Sequence, residues 1–218
     1  MDSDLVNSTE LGAQLQDGLA ALGLDVTSDQ QQQLLTYLNL LAKWNKHFNL
    51  SGIQEPEAML RLHLLDSVAL HTYLDGNEFL DFGSGAGLPG IPLAILNPDK
   101  HFVLVDSNGK KTRFMFQAKT ALQLNNVAVE NCRIEHYQTQ KQLDMVMCRA
   151  FSALPEMLAK AAHLVSPATR LLAMKGHYPR DEAAQIPPGF EIETSIELSI
   201  PGLDKARHLI VIKRAAAS

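Results

Sequence analysis

From Thr9 to about Leu74 the apolar positions recur at helical spacing, interrupted by short polar loops. Leu34, Leu35, Leu38, Leu41, Trp44 and Phe48 mark one face of a long helix, and Ser28 with Gln31 is placed to form a capping box in front of it. Pro56 suits the first position of a further helix running to Leu74, where its missing N–H costs nothing. That helix is apolar almost all round and is expected to be largely buried. Residues 1–8 are polar and are expected to fray.

After Gly76 the pattern changes. Short apolar runs at 78–82, 101–105, 127–130, 143–148 and 169–174 alternate with helical stretches at 88–97, 110–124 and 152–165. Strand and helix in alternation imply parallel βαβ units with right-handed crossovers. Runs at 190–198 and 207–213 follow with only a loop carrying Pro201-Gly202 between them. No crossover helix fits there, so these two are expected to pair antiparallel. The expected fold is α/β: a Rossmann-like, seven-stranded, mostly parallel sheet with one antiparallel strand. Residues 1–75 would form an N-terminal helical extension and 76–214 the main domain.

Composition narrows the field. A formal charge of −5 over 218 residues excludes a chain coated in basic surface, so any nucleic-acid contact must come from a local patch. Two cysteines, Cys132 and Cys148, lie too far apart in sequence for a CxxC metal pair and are too few for a disulfide framework, which suits a reducing cytoplasm. No run reaches about 18 apolar residues, and the polar, acidic start is unlike a signal peptide, so neither membrane span nor secretion is expected. The eight histidines show no HExxH-type spacing, and no metal site is expected.

The most informative stretch is Glu78-Phe79-Leu80-Asp81-Phe82-Gly83-Ser84-Gly85-Ala86-Gly87-Leu88-Pro89-Gly90. A strand ends at Phe82, glycines let the backbone turn close to a ligand, and Pro89 starts a helix. Two registers compete. Gly85-x-Gly87-x-x-Gly90 matches the dinucleotide fingerprint but starts late, whereas Gly83-x-Gly85-x-Gly87 begins at the strand end, where the tight turn must be. The second is preferred. Asp106 ends the next strand, 23 residues past Gly83. A carboxylate there accepts from ribose hydroxyls, whether the nucleoside belongs to NAD or to S-adenosylmethionine.

Glu135, Arg149 and Lys175 sit at or just past the ends of the third, fourth and fifth strands, on the edge where open parallel sheets bind ligands. His63, Asp66, Ser67 and His71 share one helical face, which would either line a second half of the site or be that helix's one solvated stripe. Lys110, Lys111 and Arg113 crowd a first helical turn, where cations oppose the helix dipole. Stability does not explain them. They would serve either a phosphate-bearing partner or only a solvated surface, and Arg149, Lys175, Arg180, Lys205 and Arg207 could extend the patch, with Lys43, Lys46 and Arg61 on the N-terminal helices.

Several motifs occur in one order: Lys43-Trp44-Asn45 with Asn49-Leu50-Ser51, His63-Leu64-Leu65-Asp66-Ser67, Gly83 to Pro92, Asp106-Ser107 with Lys110-Lys111 and Phe114, Arg149-Ala150, Lys175-Gly176, and Arg207-His208-Leu209. Together they resemble the ribosomal RNA small-subunit methyltransferase G family across roughly residues 11–213. The resemblance implies a class I methyltransferase fold, S-adenosylmethionine as cofactor, and methylation of N7 of the guanine at nucleotide 527 of 16S ribosomal RNA. It implies cofactor contacts from Gly83, Gly85, Gly87 and Leu88 at the methionine end. Asp106 would serve the ribose, Ile134 and Glu135 the adenine side, and Arg149 would lie between cofactor and acceptor. Asn49, His63, Arg149 and Lys175 become candidates for positioning the acceptor, and Lys110, Lys111, Arg113, Lys175 and Arg207 for binding RNA or a 30S particle, with the protein a monomer. One departure stands out: the family's basic residue before the histidine is here Leu62, with Arg61 one step earlier, about 100° round the helix.

The chemistry agrees with that acceptor. The place after the fourth strand reads Met147-Cys148-Arg149-Ala150-Phe151, not the Asn-Pro-Pro-Tyr type used on amino groups. Cys148 lacks a Pro-Cys context and reads as a small buried hydrophobe. A ring nitrogen such as guanine N7 offers its lone pair without a general base. A small-molecule or protein methyltransferase, and a non-catalytic cofactor-binding module, remain open on the same core.

Overall fold

The computed structural model describes residues 8–149 and 152–216. The expected frayed start, Ala150 and Phe151 beside Arg149, and the end of the alanine tail lie outside them. Helices α1 (Ser8–Ala21) and α2 (Ser28–Phe48) open the chain. The segment from Pro56 then runs as α3 (Pro56–Met59), a π-helical stretch (Leu60–Leu65) and α4 (Asp66–Val68), with a last 3-10 turn at His71–Tyr73. Strands β1 (Glu78–Phe82), β2 (His101–Val105), β3 (Val127–Glu130), β4 (Met145–Arg149) and β5 (Arg170–Lys175) alternate with α5 (Gly90–Leu96), α6 (Gly109–Ala121) and α7 (Leu154–Ala161). A short α8 (Arg180–Ala183), which no apolar period announced, leads to β6 (Phe190–Leu198) and β7 (Arg207–Arg214).

The sheet order is β3-β2-β1-β4-β5-β7-β6. β1 to β5 pair in parallel, while β7 runs antiparallel to both β5 and β6, as the missing crossover requires. The order reverses between β1 and β4, so the ligand crevice lies beyond their C-terminal ends. One apolar cluster joins α1, α2 and the Pro56 segment to α5, α6 and one sheet face, through Leu34, Leu38, Leu64, Ile91 and Phe114 among others. A second, with Leu80, Val146, Leu158 and Ile210, fills the opposite face. The N-terminal helices therefore share a core with the sheet.

Three expectations are corrected locally. The capping box of α2 is Thr27 and Gln30, not Ser28 and Gln31: Thr27 Oγ1 accepts from Gln30 N–H (3.2 Å) and Thr27 N–H donates to Gln30 Oε1 (3.1 Å). Both pairs fit the same motif. Gln31 Nε2 instead donates to Gly12 O (3.0 Å), tying α1 to α2, and Ser28 becomes the first helical residue. Pro89 is the N-cap of α5 and not its first residue. The Pro56 helix stops short of Leu74 as a continuous α-helix, because the π-helical turn inserts where His63 is turned toward Ser51.

Replacing Thr27 by Ala should lower unfolding free energy by about 1 kcal/mol. The same change at Ser28 should stay within about 0.5 kcal/mol. Urea midpoints at unchanged slope measure both, and equal losses would return the cap to Ser28.

Candidate active site

The turn after β1 settles the glycine register. Gly83, Gly85 and Gly87 have φ of 64°, 60° and 83°, in the left-handed region that side chains resist. Gly90 is already helical, and its role differs: a Cβ there would strike Leu104 and lie 2.8 Å from Asp81 Oδ2. Its N–H donates to that oxygen at 2.9 Å. The left-handed turn is thus built from Gly83, Gly85 and Gly87, with Gly83 on the cleft and Gly87 packed on Ile91, while Gly90 permits α5 to press on β1.

Asp106, at the end of β2, is held from both sides. Gly85 N–H donates to its Oδ2 (2.9 Å) and Asn108 N–H to its Oδ1 (2.8 Å). Each oxygen keeps a second lone-pair direction for a ligand. A cleft of about 520 Å³ opens there, lined by Gly83, Asp106, Ile134 and Glu135 together with Ser107, Asn108, Lys111, Cys132, Arg133 and Lys160. Its size suits a nucleoside. Four of the residues expected to hold cofactor therefore converge, while Gly85 lies behind Asp106 and Leu88 is buried in the turn.

Lys111, expected on a phosphate-binding surface, is a cleft wall: its Nζ comes within 3.9 Å of where a Gly85 Cβ would stand. Lys110 and Arg113 are exposed outside it. Asn108 caps α6 by accepting from Lys110 N–H at 3.0 Å, which the Asp-x-Asn spacing could have announced. Nothing in the chain announced Cys132 or Lys160. Burial and Glu130 push the Cys132 thiol up, so it stands as a neutral wall.

Arg149, at the end of β4, does not line that cleft. Its Nη1 donates to Asp66 Oδ2 (3.1 Å) and to Leu62 O (3.2 Å). Arg207, at the start of β7, donates from Nε to the other oxygen of Asp66 (2.9 Å). One buried carboxylate so bridges the start of α4 to two strands. His63 Nε2 stands 2.6 Å from Ser51 Oγ, and its Nδ1 lies 3.1 Å from Leu62 O. A carbonyl can only accept, so Nδ1 carries the proton and Nε2 accepts from Ser51. With His63, Asp66 and Ser67 all buried, the stripe is not a solvated face. His71 is half-buried and meets Asn97 (3.1 Å).

Lys175 pairs with Glu182 (2.8 Å) and donates to Ser152 O (2.7 Å), closing the end of β5 against the start of α7. Asn49 is exposed, in a left-handed C-cap at the end of α2. Arg61 lays its stem on Gly202, in the loop between β6 and β7. Leu62 itself presents its carbonyl to His63 and Arg149. Arg180 and Lys205 are exposed and join no shared cluster. Among the described residues no group of three or more His, Cys, Asp or Glu side chains could hold a metal, and no helix is long and apolar enough to cross a membrane.

The family model described as rRNA small subunit methyltransferase G matches residues 30–210. The chain is 47% identical over 199 residues to the ribosomal RNA small subunit methyltransferase G of Nitrosococcus oceani, covering 91% of this chain and 93% of that one. Among solved structures it is similar in fold to the glycopeptide N-methyltransferase MtfA complexed with S-adenosylhomocysteine, with a TM-score of 0.57 at 9% identity, covering 70% and 87% of the two chains. It is also similar to TrmN from Thermus thermophilus, with a TM-score of 0.54 at 19% identity, covering 68% of this chain and 47% of that one.

Two buried groups make stability depend on pH in opposite directions. Burial first, then Arg149, lowers His63 from 6.5 to about 4, so its contribution is complete above 6.5 and is lost as pH falls toward 4. Burial raises Asp81 from 3.8 to about 7, so its contribution is complete below 3.8 and is lost as pH rises through 7. Each slope reaches at most about 1.4 kcal/mol per pH unit. The cost of His63→Asn should therefore shrink on acidification through this window, and that of Asp81→Asn should shrink as pH rises. Urea unfolding across the window reads both; costs independent of pH would refute the assignment.

Proposed function

Because the chain belongs to the rRNA small subunit methyltransferase G family, we propose that it transfers a methyl group from S-adenosylmethionine to N7 of a guanine in 16S ribosomal RNA, at nucleotide 527. The observation that carries this reading is the carboxylate of Asp106, fixed by the N–H groups of Gly85 and Asn108 at the floor of a nucleoside-sized cleft.

The residues present fit the cofactor. Asp106 has lone pairs for two ribose hydroxyls, Ile134 offers an apolar wall to a base, and Glu135 stands beside it as a polar edge. Asp81 Oδ1 is buried with no hydrogen-bond partner, and an ammonium group is the kind of donor such an oxygen lacks. When bound, S-adenosylmethionine supplies a sulfonium-activated methyl group. The protein's part is alignment, which supplies roughly 7–11 kcal/mol in well-oriented reactions. Guanine N7 presents a free lone pair, so no proton has to be removed first.

Arg149, Lys175, His63 and Asn49 are the acceptor-positioning candidates. The first three lie over the crevice edge of β4 and β5, or in the segment clamped there, and Asn49 lies on the loop that ends at Ser51. Lys110 and Arg113 are the exposed RNA contacts of this reading. Arg207 and Lys175, already ion-paired, would meet RNA only as part of their clamps. The extension of residues 1–75 would then form one wall of the acceptor site beside the domain of 76–214, in a cytoplasmic monomer.

Incubation with labelled S-adenosylmethionine and small-subunit particles lacking the methyl group tests the proposal. Label should appear in 16S RNA, with strand scission specific for N7-methylguanine at one position. Label in protein or small molecules only, or binding without turnover, would overturn it. Asp106→Ala should weaken S-adenosylmethionine binding without altering the circular dichroism spectrum; affinity within about twofold would remove the ribose assignment. Lys110→Glu with Arg113→Glu should lower the log–log salt slope of RNA binding by about 1.4, at about 0.7 per single-strand phosphate, and leave cofactor affinity unchanged.

A further inference from the structure

The proposed function needs RNA led to the crevice, and the most unusual surface of the chain lies beside its mouth. Three large apolar side chains stand exposed among the described residues: Phe48 (45%), Phe116 (50%) and Tyr178 (39%). Phe48 ends α2. Its ring is 5.0 Å from that of Trp44, which is itself 5.6 Å from Phe114 of α6. Tyr37, two turns back on α2, meets Phe114 at 6.1 Å and donates its hydroxyl to Ala86 O in the glycine turn (2.7 Å). Beyond Phe48, Asn45 accepts from Ser51 N–H (2.7 Å), fixing the loop whose Ser51 reaches His63. α2 is therefore anchored to the glycine turn at mid-helix, through Tyr37, and to the His63 segment near its end, through Asn45. Phe48 stands exposed at that lip.

The sequence that carries it is charged with one sign. No Asp or Glu occurs from Gln30 through Gln54, nor from Ser107 through Val129, in a chain of net charge −5. These two stretches carry Lys43, Lys46, Lys110, Lys111, Arg113 and Lys119, and they form the packed helices α2 and α6. Lys43, Lys46, Lys110 and Arg113 are exposed. An exposed aromatic ring on a carboxylate-free basic face matches unstacked, single-stranded nucleic acid: cations follow the phosphates while a ring takes a base face. A protein partner of ordinary mixed charge has no use for such segregation.

Resting on the proposed rRNA substrate, we infer that Phe48, braced by Trp44, is the stacking platform for an unpaired base of the RNA strand entering the crevice. It is a positioning residue that holds a nucleotide near the acceptor without touching the reacting atoms.

The test uses the full chain and a short single-stranded RNA from the 16S substrate, with 2-aminopurine as the fluorescent base. Wild type should quench the 2-aminopurine, and Trp44, the single tryptophan, should report the same event. Phe48→Ala should weaken RNA binding roughly 5- to 150-fold. Phe48→Leu, apolar and of similar size but without a π face, should lose most of the same affinity, and Phe48→Tyr should keep it. None should change the salt slope or cofactor affinity, because no charge is removed and the cofactor cleft is untouched. If wild type binds with a steep slope while Leu stays within twofold of Phe, the stacking inference fails and the proposed function stands. Equal loss in Leu and Tyr also overturns it, since packing would then be the cause. If wild type binds with no salt dependence, the rRNA reading itself falls.

Discussion

The carboxylate of Asp66 is the constraint on which the β4 and β7 side of the crevice depends. It takes Arg149 on one oxygen and Arg207 on the other, from partners 83 and 141 positions along the chain. Its side chain is 5% exposed, and those of the two arginines 16% and 18%. Burying charge is costly unless every group is paired, and here the geometry leaves one oxygen per guanidinium. Only a fully closed fold meets that demand: the N-terminal segment, β4 and β7 must all be in place. The clamp also sets the local field. Arg149 helps to keep His63 neutral and acts against the burial that raises Asp81.

The nucleoside half obeys a different constraint, that of backbone shape. Three glycines in left-handed conformations let the turn fold under β1, and the Gly85 N–H so presented is spent on Asp106 instead of on a phosphate. A dinucleotide site needs free N–H groups at the helix start for a pyrophosphate. Here Gly90 N–H, at the start of α5, is occupied by Asp81. The turn is thus committed to fixing carboxylates, which suits a ligand with hydroxyl and ammonium donors better than one carrying a pyrophosphate.

Much of this was legible in the chain, for identifiable reasons. β1, β2 and β3 fall on the expected residues because buried parallel strands are short uninterrupted apolar runs bounded by polar turns. Asp106 and the glycine turn were legible because strand ends in this topology all face one crevice. The capping box was ambiguous because Thr27 and Ser28 offer the same motif one residue apart, and only Gln31's distant bond to Gly12 decides between them. The role of Asp66 was hidden for a stronger reason. A polar stripe on a helix looks the same whether it faces water or two arginines brought from far along the chain, and helical period carries no information about that pairing. The place of Lys111 was hidden similarly: Lys110 and Arg113 are exposed, but the side chain of Lys111 lines the cleft.

Neither His63 nor Cys132 stands as a poised proton acceptor. His63 has the right chemistry and a central position, yet its Nδ1 proton is given to Leu62 O and its Nε2 accepts from Ser51, so both nitrogens are committed. Cys132, on the other wall, is kept a thiol by burial and by Glu130. Asp81, whose carboxyl burial raises toward neutrality, is fully buried against Gly90 and offers no open face to an acceptor. A site whose acceptor already carries its lone pair needs rigid walls, a fixed ribose and a held strand. On the proposed reading, Asp66, Asp106 and the basic, aromatic face of α2 and α6 supply those three things.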